Sequence, residues 1–158
     1  MADARFEDGD DKSLRLIAAD ADDLQVISTL VQDAVCPGSE MKWRKSQRRF
    51  AVLINRFRWE DQKVAKRIGR AAERVQSMLV FDDVLRVAAQ GVQAGDTDTI
   101  LSVLSISFEP AEDGAGSMIL TLAGDGAIKL DVEAINVTLQ DVTRPYEAPS
   151  GKSPSHPV

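Results

Sequence analysis

The residue types that most often carry chemistry are scarce in this chain. It has one histidine, His156, and one cysteine, Cys36. His156 lies in a proline-rich terminal stretch. A Ser-His-Asp or Cys-His arrangement inside the fold is therefore excluded within one chain, and so are His-rich zinc sites. Cys36 forms no internal disulfide, which fits a reducing cytoplasm, and beside Pro37-Gly38 it reads as a partly buried structural thiol. No glycine-rich phosphate cradle of the nucleotide-binding kinds occurs.

Carboxylates remain. Asp20, Asp22 and Asp23 crowd the start of an expected helix, while Asp82 with Asp83 and Asp96 with Asp98 crowd expected turns. No calcium-loop pattern with its closing Glu accompanies them. Helix capping and turn formation account for such acids. A general acid–base pair would be the chemistry of an enzyme or a small-ligand-binding protein with an acidic site, yet no spacing selects one. The residues thus name no catalytic group, no metal ligand and no cofactor.

Basic side chains are the other candidates. Met41 to Trp59 holds seven Lys or Arg and no acid, together with four of the eight aromatic residues. From Lys42 to Arg74 twelve basic residues stand against three acids, although the whole chain carries a formal charge of −6. Such segregation speaks to partners. Three readings are open: a solvated strand end, a surface for an acidic protein or a second copy of the chain, and a nucleic-acid surface. The acidic pI of about 4.8 weighs against nucleic acid. Across a hairpin the turn cations Arg44, Lys45, Arg48 and Arg49 lie far from Arg56 and Arg58. The expected binding residues are therefore Arg56 and Arg58 with the following connection's Lys63, Lys66, Arg67 and Arg70.

The elements that must position these groups follow from periodicity. Leu14 to Ala19 alternates as a strand. Leu24, Ile27, Leu30 and Val31 share one helical face, so Asp23 to Gln32 is expected as a helix. Glu40 to Arg44 and Arg49 to Arg58 read as a hairpin joined by Lys45 to Arg48. Apolar residues on both faces make the second strand central, with Leu53 expected to be fully buried. Glu60 to Glu73 reads as a basic connection with partial helix. Arg74 to Phe81 and Val84 to Val92 are strands joined by Asp82-Asp83. Thr99 to Leu104 is expected as a helical turn, Ser105 to Glu109 and Ser117 to Leu122 as strands. Gly124-Asp-Gly126 signals a hairpin. Ala127 to Val142 reads as one long strand bent near Ala134.

The fold class is α+β, mainly antiparallel sheet with one or two short helices. The order also reads as two similar β-α-β-β-β halves, or as chance. Residues 13–142 form the expected domain, between an acidic tail over residues 1–12 and a Pro-rich tail over 143–158. The N-terminus lacks the apolar core of a secretory signal, and no apolar run approaches the length of a spanning helix.

Leu14-Arg-Leu-Ile-Ala before Asp23-Leu24, Gln32-Asp-Ala-Val35, Arg49-Phe50 and Leu53-Ile-Asn-Arg-Phe57 resemble an uncharacterised bacterial family. Phe81-Asp-Asp-Val-Leu85, Leu101-Ser-Val-Leu104, Phe108-Glu-Pro110 and Gly126-Ala-Ile-Lys-Leu130 with Val132-Glu133 fit it too. The resemblance covers about Leu14 to Val142. It is to a domain of unknown function found mainly in alphaproteobacteria. It implies a bacterial cytoplasmic protein, carries over no catalytic residue, and matches Glu60 to Glu73 to the family's variable part. The resulting expectation is a small non-enzymatic cytoplasmic module that binds a protein partner, an acidic one or another copy of itself, away from membranes.

Overall fold

The computed structural model describes residues 13–61, 67, 73–92 and 99–147. The expected tail over 1–12, most of the basic connection and residues 148–158 lie outside them. Among the described residues the fold is mostly antiparallel sheet, with one α-helix described along its length, a helical residue at 67 and a few 3-10 turns.

The first half contributes β1 (Arg15–Ala18), α1 (Ala21–Leu30), β2 (Val35–Pro37), β3 (Met41–Arg44), β4 (Arg49–Phe57) and β5 (Glu73–Phe81). The second contributes β6 (Val84–Gln90), β7 (Ile100–Pro110), β8 (Gly116–Leu122), β9 (Gly126–Val132), β10 (Val137–Asp141) and β11 (Tyr146–Glu147). The strands lie in the order β1-β10-β5-β4-β2-β7-β8-β9-β6, with β3 beside β4 and β11 beside β5. β7 turns the corner of the sheet. Its start pairs with β2, and the rest pairs with β8 after a register shift between Val103 and Ser105.

α1 starts two residues before the expected position because Asp20 caps it, accepting from the Asp23 amide at 2.8 Å. Leu24, Ile27 and Val31 are buried, as their spacing requires. The helix also covers the sheet edge: Ser28 Oγ accepts from the Ile106 amide of β7 at 2.9 Å. One core unites α1 with inward residues of both sheet halves, among them Val52, Leu79, Leu139, Leu120 and Leu130.

Three expected elements differ. Ile100 to Leu104 is strand, because Ile100, Leu101 and Ser102 pair with Pro37, Cys36 and Val35. The helical turn that would have matched the second half to the first is therefore absent there. The long strand from Ala127 is two strands that part company. β9 lies between β8 and β6, whereas β10 lies between β1 and β5. The domain also extends past residue 142. Thr143 Oγ1 accepts from the Gln76 amide at 3.0 Å, and Tyr146 pairs with Arg74 along the stretch of β5 that β10 leaves uncovered.

β4 carries a clean alternation. Phe50, Val52, Ile54 and Arg56 face the core; Ala51, Leu53 and Asn55 face outward and are half-buried. Leu53 is thus not the buried centre that the apolar run suggested. Leu79, fully buried and opposite Val52, is. Leu79→Ala is expected to cost about 2–5 kcal/mol and Leu53→Ala distinctly less. Urea melts showing equal losses would contradict this assignment of faces.

Candidate functional site

Strand alternation puts Arg56 where the next core residue after Ile54 belongs. In antiparallel register Val75 stands opposite Arg56, Ser77 opposite Ile54, and Asp141 opposite Ser77. The Arg56 side chain is 0% exposed and the Asp141 side chain 2% exposed. All five guanidinium donors are used. Nε reaches Ser77 Oγ at 3.1 Å and Asp141 Oδ1 at 3.3 Å. Nη1 donates to the Phe57 carbonyl at 3.1 Å and to Glu60 Oε1 at 2.9 Å. Nη2 donates to Glu60 Oε2 at 2.9 Å and to the two Asp141 oxygens at 3.0 and 3.2 Å. Ser77 Oγ donates to Asp141 Oδ1 at 2.6 Å, and the Leu14 amide donates to Asp141 Oδ2 at 3.0 Å.

Burial works against the charge on Arg56. Hydrogen bonding and attraction from Glu60, then Asp141, outweigh it and hold the guanidinium above its ordinary pKa. The same competition runs at Glu60. Burial opposes ionisation, and the hydrogen bonds and charge of Arg56 overcome it, so the carboxyl lies below its ordinary pKa.

Arg58 is buried as well and acts as a clasp. Nη1 bonds Asp61 Oδ2 at 3.3 Å and also Glu73 Oε1, while its amide donates to the Glu73 carbonyl at 3.0 Å. Asp61 and Glu73 stand at the two ends of the basic connection, so Arg58 ties them together. Its Nε is buried without a hydrogen-bond partner. Beside it, Arg74 stacks on Phe57 at 3.8 Å from the ring centre and donates to Asn55 Oδ1 at 2.9 Å. Asn55 in turn bonds the Tyr146 hydroxyl, and Trp59 Nε1 donates to the Gln32 carbonyl at 2.9 Å.

The expected anion-attracting set is therefore not one surface. Arg56 and Arg58 face inward because β4 alternation and the turn at Trp59–Asp61 carry them there. Arg67 is exposed; Lys63, Lys66 and Arg70 lie outside the described residues. The cations on display are at the other end of β4. Lys42 and Arg44 alternate with inward-leaning Met41 and Trp43, and Lys45 opens the turn. All three are exposed and make no ion pair among the described residues. Arg48 and Arg49 are exposed but neutralised, by Glu133 at 2.6 Å and by Asp82 at 2.8 Å. The alternation Met41-Lys-Trp-Arg44 was the signal for this display. The row Phe50, Val52, Ile54 was the signal that Arg56 points inward.

Several of the remaining candidates have structural roles. Asp20 is the helix cap, and Asp83 accepts from Asn136 Nδ2 at 3.2 Å. Asp96 and Asp98 lie outside the described residues. Burial, then the charge of Glu40, push the Cys36 thiol up to about 11, so it is protonated at neutral pH. Among the described residues no cluster of three or more His, Cys, Asp or Glu could hold a metal ion, and no helix is long and apolar enough to cross a membrane.

Because the folded pKa of Glu60 is depressed, its ion pair stabilises the protein above the ordinary glutamate value near 4.3. That contribution is lost as pH falls through the folded value. Glu60→Gln is expected to lower stability at neutral pH and to narrow its gap to the parent in acid. Unfolding free energies measured from pH 7 to pH 3 check this; a gap independent of pH would contradict it.

No curated protein and no solved structure matches this chain. A family model described as "Protein of unknown function (DUF2948)" matches residues 14–156, from β1 through β11 and beyond. The chain belongs to the DUF2948 family.

Proposed function

We propose that this chain is a small non-enzymatic cytoplasmic module that binds an acidic protein partner. The observation that carries the reading is the exposed, unneutralised set Lys42, Arg44 and Lys45 on the β3–β4 hairpin. A charge with no ion-pair partner among the described residues, on a chain of net charge −6, is available to an intermolecular one. The outward face of the same sheet supports it. Ala51, Leu53, Met78 and Val80 are half-buried there, and Ile17 is 52% exposed on β1. Apolar area bordered by cations suits an amphipathic acidic segment.

The acids argue in the same direction. Glu60, Asp61, Glu73 and Asp141 are engaged by Arg56 and Arg58, so they do not offer a free carboxylate pair for acid–base work. In this reading Lys63, Lys66, Arg67 and Arg70 make a second, separate contact. The ends of their connection, Asp61 and Glu73, are held by Arg58 roughly 30 Å from the hairpin turn, at about 3.3 Å per residue of β4.

Retention on immobilised polyglutamate tests the reading. Lys42→Gln, Arg44→Gln and Lys45→Gln together are expected to cut low-salt retention more than the four changes Lys63→Gln, Lys66→Gln, Arg67→Gln and Arg70→Gln. Raised salt should erase the difference. A parent protein that is not retained, or a larger loss from the connection set, would count against the hairpin as the docking surface.

A further inference from the structure

Among the described residues β6 ends the strand order and pairs only with β9. On its other side the Val84 amide donates to the Arg48 carbonyl at 2.9 Å, and beyond Val84 no described residue pairs with the strand. Among the described residues, alternate positions of Leu85 to Gln90 thus present an open row of backbone donors and acceptors. Such edges are normally protected by lysine, proline or inward charge. Here the one charge, Arg86, folds back on Asp131 at 3.2 Å, and the rest of the row is Val87, Ala88, Ala89 and Gln90. A register shift beside Leu85 interrupts only the start, where Leu85 is 46% exposed.

The core is also open along this edge. Val87 and Ala89 stand opposite Leu130 and Ile128, both buried, and so belong to the core-facing row. Yet Val87 is only half-buried and Ala89 is exposed. The other edges differ. β3 carries Lys42 and Arg44, so a second copy paired there would set like charges together. β1 is four residues long and has α1 packed against it.

We propose that β6 is a self-association edge, at which two copies of the chain pair antiparallel about Ala88. The strand is self-complementary in that register. Val87 meets Ala89 of the other copy on the core side, large against small, and each Leu130 row gains a further apolar neighbour. Arg86 meets Gln90 on the outer side, and Ala88 meets its own counterpart. No like charges face each other. The two-fold pairing closes the open backbone row of both chains at once and joins their sheets into one.

Sedimentation of the full chain tests this across micromolar to hundreds of micromolar concentration. The mass is expected to rise from 17.2 kDa to twice that value. Ala88→Lys and Ala88→Glu change an exposed position, and circular dichroism confirms that each variant is folded. Each alone should stay at the monomer mass, because like charges meet at the two-fold axis. An equimolar mixture of the two should regain the dimer mass. A parent that remains monomeric throughout would overturn the proposal. So would variants that dimerise as the parent does, or a mixture that stays monomeric.

Discussion

One fully buried arginine governs the end of the sheet at which the connection and both termini leave it. Arg56 faces the core, and an unpaired guanidinium there would cost several kcal/mol. The fold supplies two carboxylates, a hydroxyl and a carbonyl from separate elements. Asp141 comes from β10, Ser77 from β5, and Glu60 with the Phe57 carbonyl from the end of β4 and the turn after it. Asp141 also receives the amide of Leu14, which stands 127 residues away in sequence. The entry to β1 and the end of β10 are thereby fixed to the same charge. Register follows from this. A one-residue slip of β4 would turn Arg56 outward, put Asn55 in its place and leave Asp141 buried without a cation.

This constraint divides the basic stretch by strand alternation. At one end the cations are consumed: Arg56 holds the sheet, Arg58 clasps the ends of the connection, and Arg74 lies on Phe57. At the other end Lys42, Arg44 and Lys45 make no ion pair among the described residues. A local excess of positive charge is therefore a poor guide to a surface until each residue's face is known.

Much of this architecture was legible in the residues. The helical face Leu24, Ile27, Val31, the β3–β4 hairpin and the Gly124–Gly126 turn all follow from local spacing and turn chemistry. Asp125 adopts φ 68° and Gly124 φ 80°, as the tight connection between β8 and β9 demands. Other features depended on tertiary pairing. Ile100 to Leu104 is a short apolar run that suits helix or strand equally, and β2 decides the matter. The run from Ala127 breaks its alternation near Ala134, which signalled a bend, but local pattern could not show that its halves enter different parts of the sheet. Tyr146 sits among prolines, and only the vacant edge of β5 recruits it. The inward aim of Arg56 was written in the alternation of Phe50, Val52 and Ile54, but its charge argued for the surface. The exposure of β6 had no local signal, because a strand's position at the sheet edge is set by distant partners.

The central claim is that Arg56 and Asp141 form an internal strut. A double-mutant cycle measures it most directly, with Arg56→Met, Asp141→Leu and both changes combined, followed by chemical denaturation. The strut predicts that each single change costs about 3–5 kcal/mol, because Arg56→Met strands the buried Asp141 and Asp141→Leu leaves the fully buried Arg56 with only Glu60 to balance it. It also predicts that the combined variant loses far less than the sum, with a coupling of about 1–3 kcal/mol or more. Small and additive losses would contradict it, and would return Arg56 to the solvent-facing role that its charge first suggested.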